Sequence, residues 1–351
     1  MDFGLSPEQH MLQDSVARYA AESAPLERVR RYAEGADDGS EMWSALVDMG
    51  VLGAAVPERA GGLGLGLLDA ALVQEQLGAG VVPVDHLPHA VVAQALVRTG
   101  ASDALAKMLA GEVRYALALS HAVQQREGAG VRAQGDGALE GSSLFAQGLR
   151  GAERILTADD QGRLWVVRTS DAEIRMHESI DKTRPLGEVR FQSAPAELID
   201  PSGEALGDLV HVARVLLAAD TLGAVQHMLD AAVAYSLERE QFGRVIGSFQ
   251  AVKHLCAEMA AQIEPARSLM WYAAYAFDHL PDEFALCACH AKAHLDEVGR
   301  FVARTATEVH GGMGFTDLLG LHYWFKRIGA NRQLLGGPEL VREDAALLQD
   351  W

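Results

Sequence analysis

Four stretches of this chain carry residue types that could do chemistry. Asp220 interrupts the apolar run Val215–Ala219, an unusual place for a carboxylate inside a long helical pattern. Burial raises a carboxyl pKa, so an acid there could serve as a general base; a neighbouring His or Arg could equally neutralise it. Arg239-Glu-Gln-Phe-Gly-Arg stands where one long helical pattern ends and the next begins, with Gly243 able to turn the chain. An arginine fork of five donors suits a diphosphate. In Glu308-Val-His-Gly-Gly-Met-Gly-Phe, three glycines at 311, 312 and 314 leave room for a close backbone approach. His310 could face a ligand there, although packing is the plainer reading. Cys287-Ala-Cys-His290 is metal-like in composition only. In a helix, Cys287 and Cys289 point to different faces and no second ligand pair accompanies them, so buried thiols and no metal are expected.

The elements that must position these residues fall into three parts. Residues 1–112 read as helical: Ser6-Pro-Glu-Gln sets a cap and a helix start, and apolar residues recur at Met11, Leu12, Val16 and Tyr19. A second helical pattern covers Met42 to Met49, and helices resume from Leu68 through Ala110. Between them, Val56-Pro-Glu-Arg-Ala-Gly-Gly-Leu-Gly-Leu-Gly is glycine-rich, yet no buried strand leads into it and no Lys-Ser/Thr follows. It reads as an interhelix loop rather than a phosphate cradle. Residues 113–205 change texture: Tyr115–Leu119, Leu164–Val167 and Val189–Phe191 are short apolar runs between Gly, Asp and Ser, the mark of a small antiparallel β domain. Residues 206–351 turn helical again, with Leu209–Leu237, Val252–Ala276 and Pro281–Glu308 long enough for a four-helix bundle. Trp271-Tyr272 and His322-Tyr-Trp-Phe325 read as core or interface aromatics.

Composition excludes some partners. The 351 residues carry a net charge of −18, which repels nucleic-acid backbones. Mean hydropathy is +0.03. No apolar run approaches the ~20 residues of a membrane span. The acidic, polar start does not resemble a signal peptide, and three cysteines, an odd number, suit a reducing cytoplasm.

Taken together and in this order, these segments resemble the acyl-CoA dehydrogenase family. The resemblance implies an α+β multidomain fold: an N-terminal helical domain, a middle β-barrel or sandwich domain and a C-terminal four-helix bundle. It also implies FAD as cofactor and α,β-desaturation of an acyl-CoA thioester. In that family the turn matching Arg239 meets the FAD of a neighbouring subunit, so Arg239 would face the pyrophosphate and Gln241 and Phe242 the adenosine part. Gly311, Gly312 and Gly314 match the Gln-x-x-Gly-Gly-x-Gly loop, in which Glu308 stands where the family has Gln. A carboxylate opposes a diphosphate, whereas an amide can donate to it. The family's flavin-facing Thr-Glu-Pro matches Ser120-His121-Ala122, and its Gly-x-Lys-x-Phe-Ile-Thr strand matches Gly141-Ser-Ser-Leu-Phe-Ala-Gln147. Ser120 can stand for the Thr, and Gly141 and Phe145 persist; the Lys and the strand hydroxyl do not.

The reaction needs a carboxylate to take the α-proton, a contribution of ~10²–10⁴ in rate. The family keeps that Glu at one of two places, which match Leu335 and Ala213 here. Neither is acidic. Asp220, seven residues after Ala213 and on roughly the same helix face, is the best substitute. Glu339 is a weaker one, since a carboxylate near a helix start is favourable without any chemistry. The missing base resembles the short, base-lacking subunits of heteromeric bacterial acyl-CoA dehydrogenases of steroid side-chain degradation. That likeness implies a base-bearing homologue as partner, FAD held across the interface and a bulky acyl-CoA substrate. Two other readings stay open: a self-sufficient flavoenzyme with Asp220 as base, and a scaffold that kept the fold and lost the chemistry.

Overall fold

A computed structural model describes residues 4–124, 126–135 and 137–351. The first helix, α1 (Pro7–Ser23), begins as its sequence dictates: Ser6 Oγ accepts the Gln9 N–H at 3.2 Å, and the Gln9 side chain accepts the Ser6 N–H at 3.0 Å. Two short helices follow, α2 (Leu26–Ala33) and α3 (Ser40–Asp48). The glycine-rich stretch is a packed turn, because a Cβ at Gly62 would lie 2.2 Å from the Val56 carbonyl oxygen. It leads into α4 (Leu67–Ala79), α5 (His86–Thr99) and α6 (Ser102–Leu109).

The middle of the chain forms β1 (Tyr115–Ala118), a one-turn helix α7 (Ser120–Val123), then β2 (Gly130–Gln134), β3 (Ala138–Gln147), β4 (Arg154–Ala158), β5 (Leu164–Arg168), β6 (Glu173–Met176) and β7 (Leu186–Asp200). The sheet order is β2-β3-β1-β4-β5-β7-β6, and a further β3–β7 pairing closes it into a barrel. Closure pairs β3, β1, β4, β5 and β7 on both sides, with β2 and β6 each added beside one strand of the ring. One expectation is corrected: the domain is not wholly antiparallel, because β1 pairs parallel with β4. The whole β2–β3 hairpin separates those two strands in sequence, which is the length of connection a parallel pair needs. Gly141 is kept for packing, since a Cβ there would lie 2.0 Å from the Gly130 carbonyl oxygen.

The last part is built on α8 (Ala205–Glu238), α9 (Gln250–His279) and α10 (Pro281–His310), with α11 (His322–Gln333) and α12 (Pro338–Leu347) as shorter helices against them. Apolar residues surround α8, which is the signature of a helix buried on every side. Its closest approach to α4 depends on two glycines. A Cβ at Gly78 would strike the Asp220 carbonyl oxygen at 2.2 Å, and one at Gly223 would strike that of Glu75 at 1.8 Å. Between α8 and α9 lies a two-stranded hairpin, β8 (Glu240–Gln241) and β9 (Arg244–Val245), turned through Phe242 and Gly243 at φ +55° and +76°. Among the described residues, no helix is long and apolar enough to cross a membrane.

Candidate functional site

A cleft with a cavity of 310 Å³ lies between the barrel and the bundle. Ser120 reaches it from α7, Phe145 from β3, Ile180 and Leu186 from the segment leading into β7, and Gln333 and Leu335 from the end of α11 and the turn after it. Two positions far apart in sequence, 120 and 335, therefore share one wall. Among the described lining residues there is no Asp, Glu or His. His121 turns away into the barrel, where Nε2 lies 2.8 Å from the Ala158 carbonyl and Nδ1 lies 2.9 Å from Ser143 Oγ. A carbonyl only accepts, so Nε2 carries the proton and Nδ1 accepts from the hydroxyl. Burial holds this imidazole's pKa down. Ala213 is fully buried in α8.

Asp220 stands at the meeting point of all three parts of the chain, and it is fully buried. Gln74 Nε2 donates to its Oδ1 at 2.8 Å, and Arg327 Nη1 does so at 3.2 Å. Asn331 Nδ2 donates to Oδ2 at 2.7 Å, with Arg184 Nη2 3.5 Å from the same oxygen. Arg327 also pairs with Asp181 at 2.9 Å. The pKa expectation is reversed here. Burial pushes the Asp220 carboxyl up, but the Arg184 and Arg327 guanidiniums and the two amide donors outweigh it and hold the value below the ordinary one. A carboxylate so held is a poor proton acceptor. Glu339 is exposed at the start of α12, at 3.5 Å from Arg332.

The other sequence-predicted residues gather at one end of the bundle. Tyr235 of α8 stacks on His310 of α10, with ring centroids 4.7 Å apart, and this joins the Arg239 segment to the glycine segment. His310 Nδ1 is also 2.7 Å from the Ala306 carbonyl, so its ring serves packing. Arg239 and Glu308 are exposed, and among the described residues neither side chain makes a hydrogen bond or ion pair within the chain. Gln241 is exposed, its amide donating to the Glu240 carbonyl at 2.7 Å. Phe242 is 92% exposed at the tip of the hairpin, and Phe315 is 80% exposed beside the glycines. The glycines divide into two kinds. Around Gly311 and Gly312 a Cβ would meet nothing within 4 Å, so both face open space, whereas a Cβ at Gly314 would strike the Thr307 carbonyl oxygen at 2.7 Å. Gly311 and Gly312 leave a cradle that side chains would fill; Gly314 is required by packing.

These groups fit FAD in part. An unpaired guanidinium, open glycine backbone and an exposed aromatic ring match a diphosphate and an adenine ring, while the Glu308 carboxylate opposes the diphosphate. Sequence reasoning missed Arg214 and Lys292, two cations buried behind the cleft, each 1% exposed. A charge inside an apolar helical run was the available signal.

A helical domain, a closed barrel and a helical bundle around such a cleft define a class of flavin-dependent oxidoreductases. The acyl-CoA dehydrogenase N-terminal domain matches residues 6–114, and the acyl-CoA dehydrogenase C-terminal domain matches residues 205–346. The chain belongs to the acyl-CoA dehydrogenase family, whose enzymes are FAD-dependent oxidoreductases. It is 30% identical to the acyl-CoA dehydrogenase IpdE2 of Mycolicibacterium smegmatis, over 95% of this chain and 96% of that one. Among solved structures, a variant of the Tcur3481–Tcur3483 steroid acyl-CoA dehydrogenase is 30% identical, with a TM-score of 0.88 over 98% of each chain. The ChsE4–ChsE5 complex of Mycobacterium tuberculosis is 25% identical, with a TM-score of 0.88 over the full length of both chains.

Proposed function

We propose that this chain is the base-lacking subunit of a heteromeric acyl-CoA dehydrogenase that desaturates a bulky, steroid-like acyl-CoA. The observation that carries this reading is the cleft wall: Ser120 and Leu335 both line it, and no described lining residue is a carboxylate or an imidazole. The chemistry needs a general base at the α-carbon, and a base-bearing homologue would supply it. FAD, when bound, supplies the acceptor for the hydride that leaves the β-carbon. This chain's part is binding. Arg239 would pair with the diphosphate, Gly311 and Gly312 would let backbone approach it, and Gln241 and Phe242 would lie against the adenosine part, all from an exposed end of the bundle. The near-complete exposure of Phe242 supports a second protein covering it. Kinship with a steroid enzyme of two named components and with a two-component complex supports both the heteromer and the substrate class. The free state of Cys256, Cys287 and Cys289 supports a reducing cytoplasm. Asp220 serves the fold in this reading, as the anion that neutralises Arg184 and Arg327.

Co-expression with a base-bearing homologue tests the proposal. A co-purifying yellow complex that reduces its flavin with an acyl-CoA is expected, while the chain alone stays colourless. A stable homo-oligomer that turns over an acyl-CoA unaided would overturn it.

A further inference from the structure

Behind the cleft, two buried cations hold two consecutive carbonyl oxygens of its wall. Arg214 Nε donates to the Leu335 carbonyl at 3.1 Å, and Lys292 Nζ lies 3.4 Å from that of Gly336. Each cation is anchored elsewhere. Arg214 Nη2 pairs with Asp344 of α12 at 2.5 Å and Nη1 donates to Cys289 Sγ of α10 at 3.3 Å, so all three guanidinium nitrogens are committed. Lys292 Nζ pairs with Asp296, one helical turn along α10, at 2.6 Å.

The turn they hold is a strained one. Leu335 and Gly336 are successive residues in the left-handed region, at φ +54° and +101°. Glycine adopts that conformation freely and leucine does not. Glycine at 336 also admits the guanidinium: a Cβ there would lie 3.3 Å from Arg214 Nη2 and 3.2 Å from Val341 Cγ2. Leu334, Leu335 and Gly336 line the cleft, while the carbonyls of Leu335 and Gly336 face the cations behind it. We infer that Arg214 and Lys292 are positioning residues. They touch no ligand; they fix the left-handed turn after α11 and thereby the shape of the cleft wall. The inference draws on the proposed function only in taking the cleft to receive an acyl-CoA.

Arg214→Lys separates this role from bulk stabilisation, because lysine keeps the charge beside Asp344 and loses the three-way fork. The full chain would be followed by hydrogen exchange at Leu334 and Val341, whose amides bond to Ala330 and Gly337 and bracket the turn. Exchange at these two amides is expected to quicken about tenfold in Arg214→Lys while the α8 and α9 amides keep their protection. Adding Leu335→Gly, which relieves the left-handed strain, is expected to restore much of it. Unchanged exchange, or quickening in step with the whole bundle, would overturn the role. Calorimetric titration with octanoyl-CoA supplies the second arm, with affinity expected to fall several-fold in Arg214→Lys. A loosened turn with unchanged affinity would also overturn it. Wild-type chain that binds no octanoyl-CoA would count against the cleft as this chain's own acyl-CoA site, the one point taken from the proposed function, leaving hydrogen exchange to decide the positioning role.

Discussion

Asp220→Asn is the sharpest test of how this chain is built. The substitution keeps the shape of the side chain and removes its charge. Arg327 would then keep Asp181 as its ion-pair partner, while buried Arg184 would lose the one ion pair it makes among the described residues. The new amide would also turn an N–H toward a site filled by the donors of Gln74, Asn331 and Arg327. Breaking a buried ionic network by removing one partner costs about 3–5 kcal/mol. For a chain of 351 residues that is a drop of roughly 4–7 °C in melting temperature. The pH dependence follows from the lowered carboxyl pKa. The native state binds this proton less readily than the unfolded chain, whose Asp titrates near ~3.9. The stability Asp220 gives is therefore complete above that value and is lost as pH falls through the lower folded one. The deficit of Asp220→Asn should be flat from about pH 5 upward and shrink only in stronger acid. Thermal melts by circular dichroism at several pH values measure both quantities. A variant that melts with the wild type, yet abolishes turnover in a flavin-loaded protein, would refute this reasoning and restore Asp220 as a base.

Three other predictions concern separate parts of the molecule. Phe242→Ala should leave the melting of the isolated chain within about 0.5 kcal/mol of wild type, because the ring is 92% exposed, and should lower the FAD released per complex on denaturation. Leu335→Glu places a carboxylate on the cleft wall, and in a flavin-loaded complex whose partner has had its own base removed it should give acyl-CoA-dependent bleaching near ~450 nm, with a gain of about 10²–10⁴ over the unsubstituted site; no bleaching would show that the base position alone is insufficient. Burial pushes the pKa of His86, His211 and His227 down to about 4, and that of His89 to about 3. Each native histidine thus binds fewer protons than its unfolded counterpart, so stability is full above ~6.5 and falls as pH drops from there toward ~4. His227→Phe keeps a ring against Trp324, where the centroids now lie 3.9 Å apart, and should flatten that slope by up to about 1.4 kcal/mol per pH unit in urea titrations.

The fold was legible because its signals are periodic and local. Long apolar stretches such as Leu209–Leu237 have no other stable use than burial in a bundle, and α8 is buried accordingly. The barrel was less legible: the β1–β4 parallel pairing depends on where the β2–β3 hairpin folds, which no short run of residues encodes. At the site, residue types were legible and their partners were not. Asp220 announced itself as a charge in an apolar run. The groups that decide its protonation come from Gln74, Arg184, Arg327 and Asn331, the nearest of them 36 residues away in sequence and the other three more than a hundred. Pattern alone could not separate an acid raised by burial from one lowered by two guanidiniums.

The same distinction explains how, in the proposed reading, a cleft would keep its shape without a base. The carbonyls of Leu335 and Gly336 are held by Arg214 and Lys292, and neither bond uses the side chain at 335. Replacing a carboxylate at that position therefore leaves the turn's anchors untouched. It also spares the chain the cost of burying an acid, since Leu335 is 3% exposed. The anchors, by contrast, tie the turn to α8, α10 and α12, so their loss would loosen the turn itself. Chemistry at position 335 is consequently free to change while the geometry around it is not. An inactive member of a pair of subunits would then retain the shape of an active site, and the partner's active site would find in it the same docking surface that a second active copy would offer.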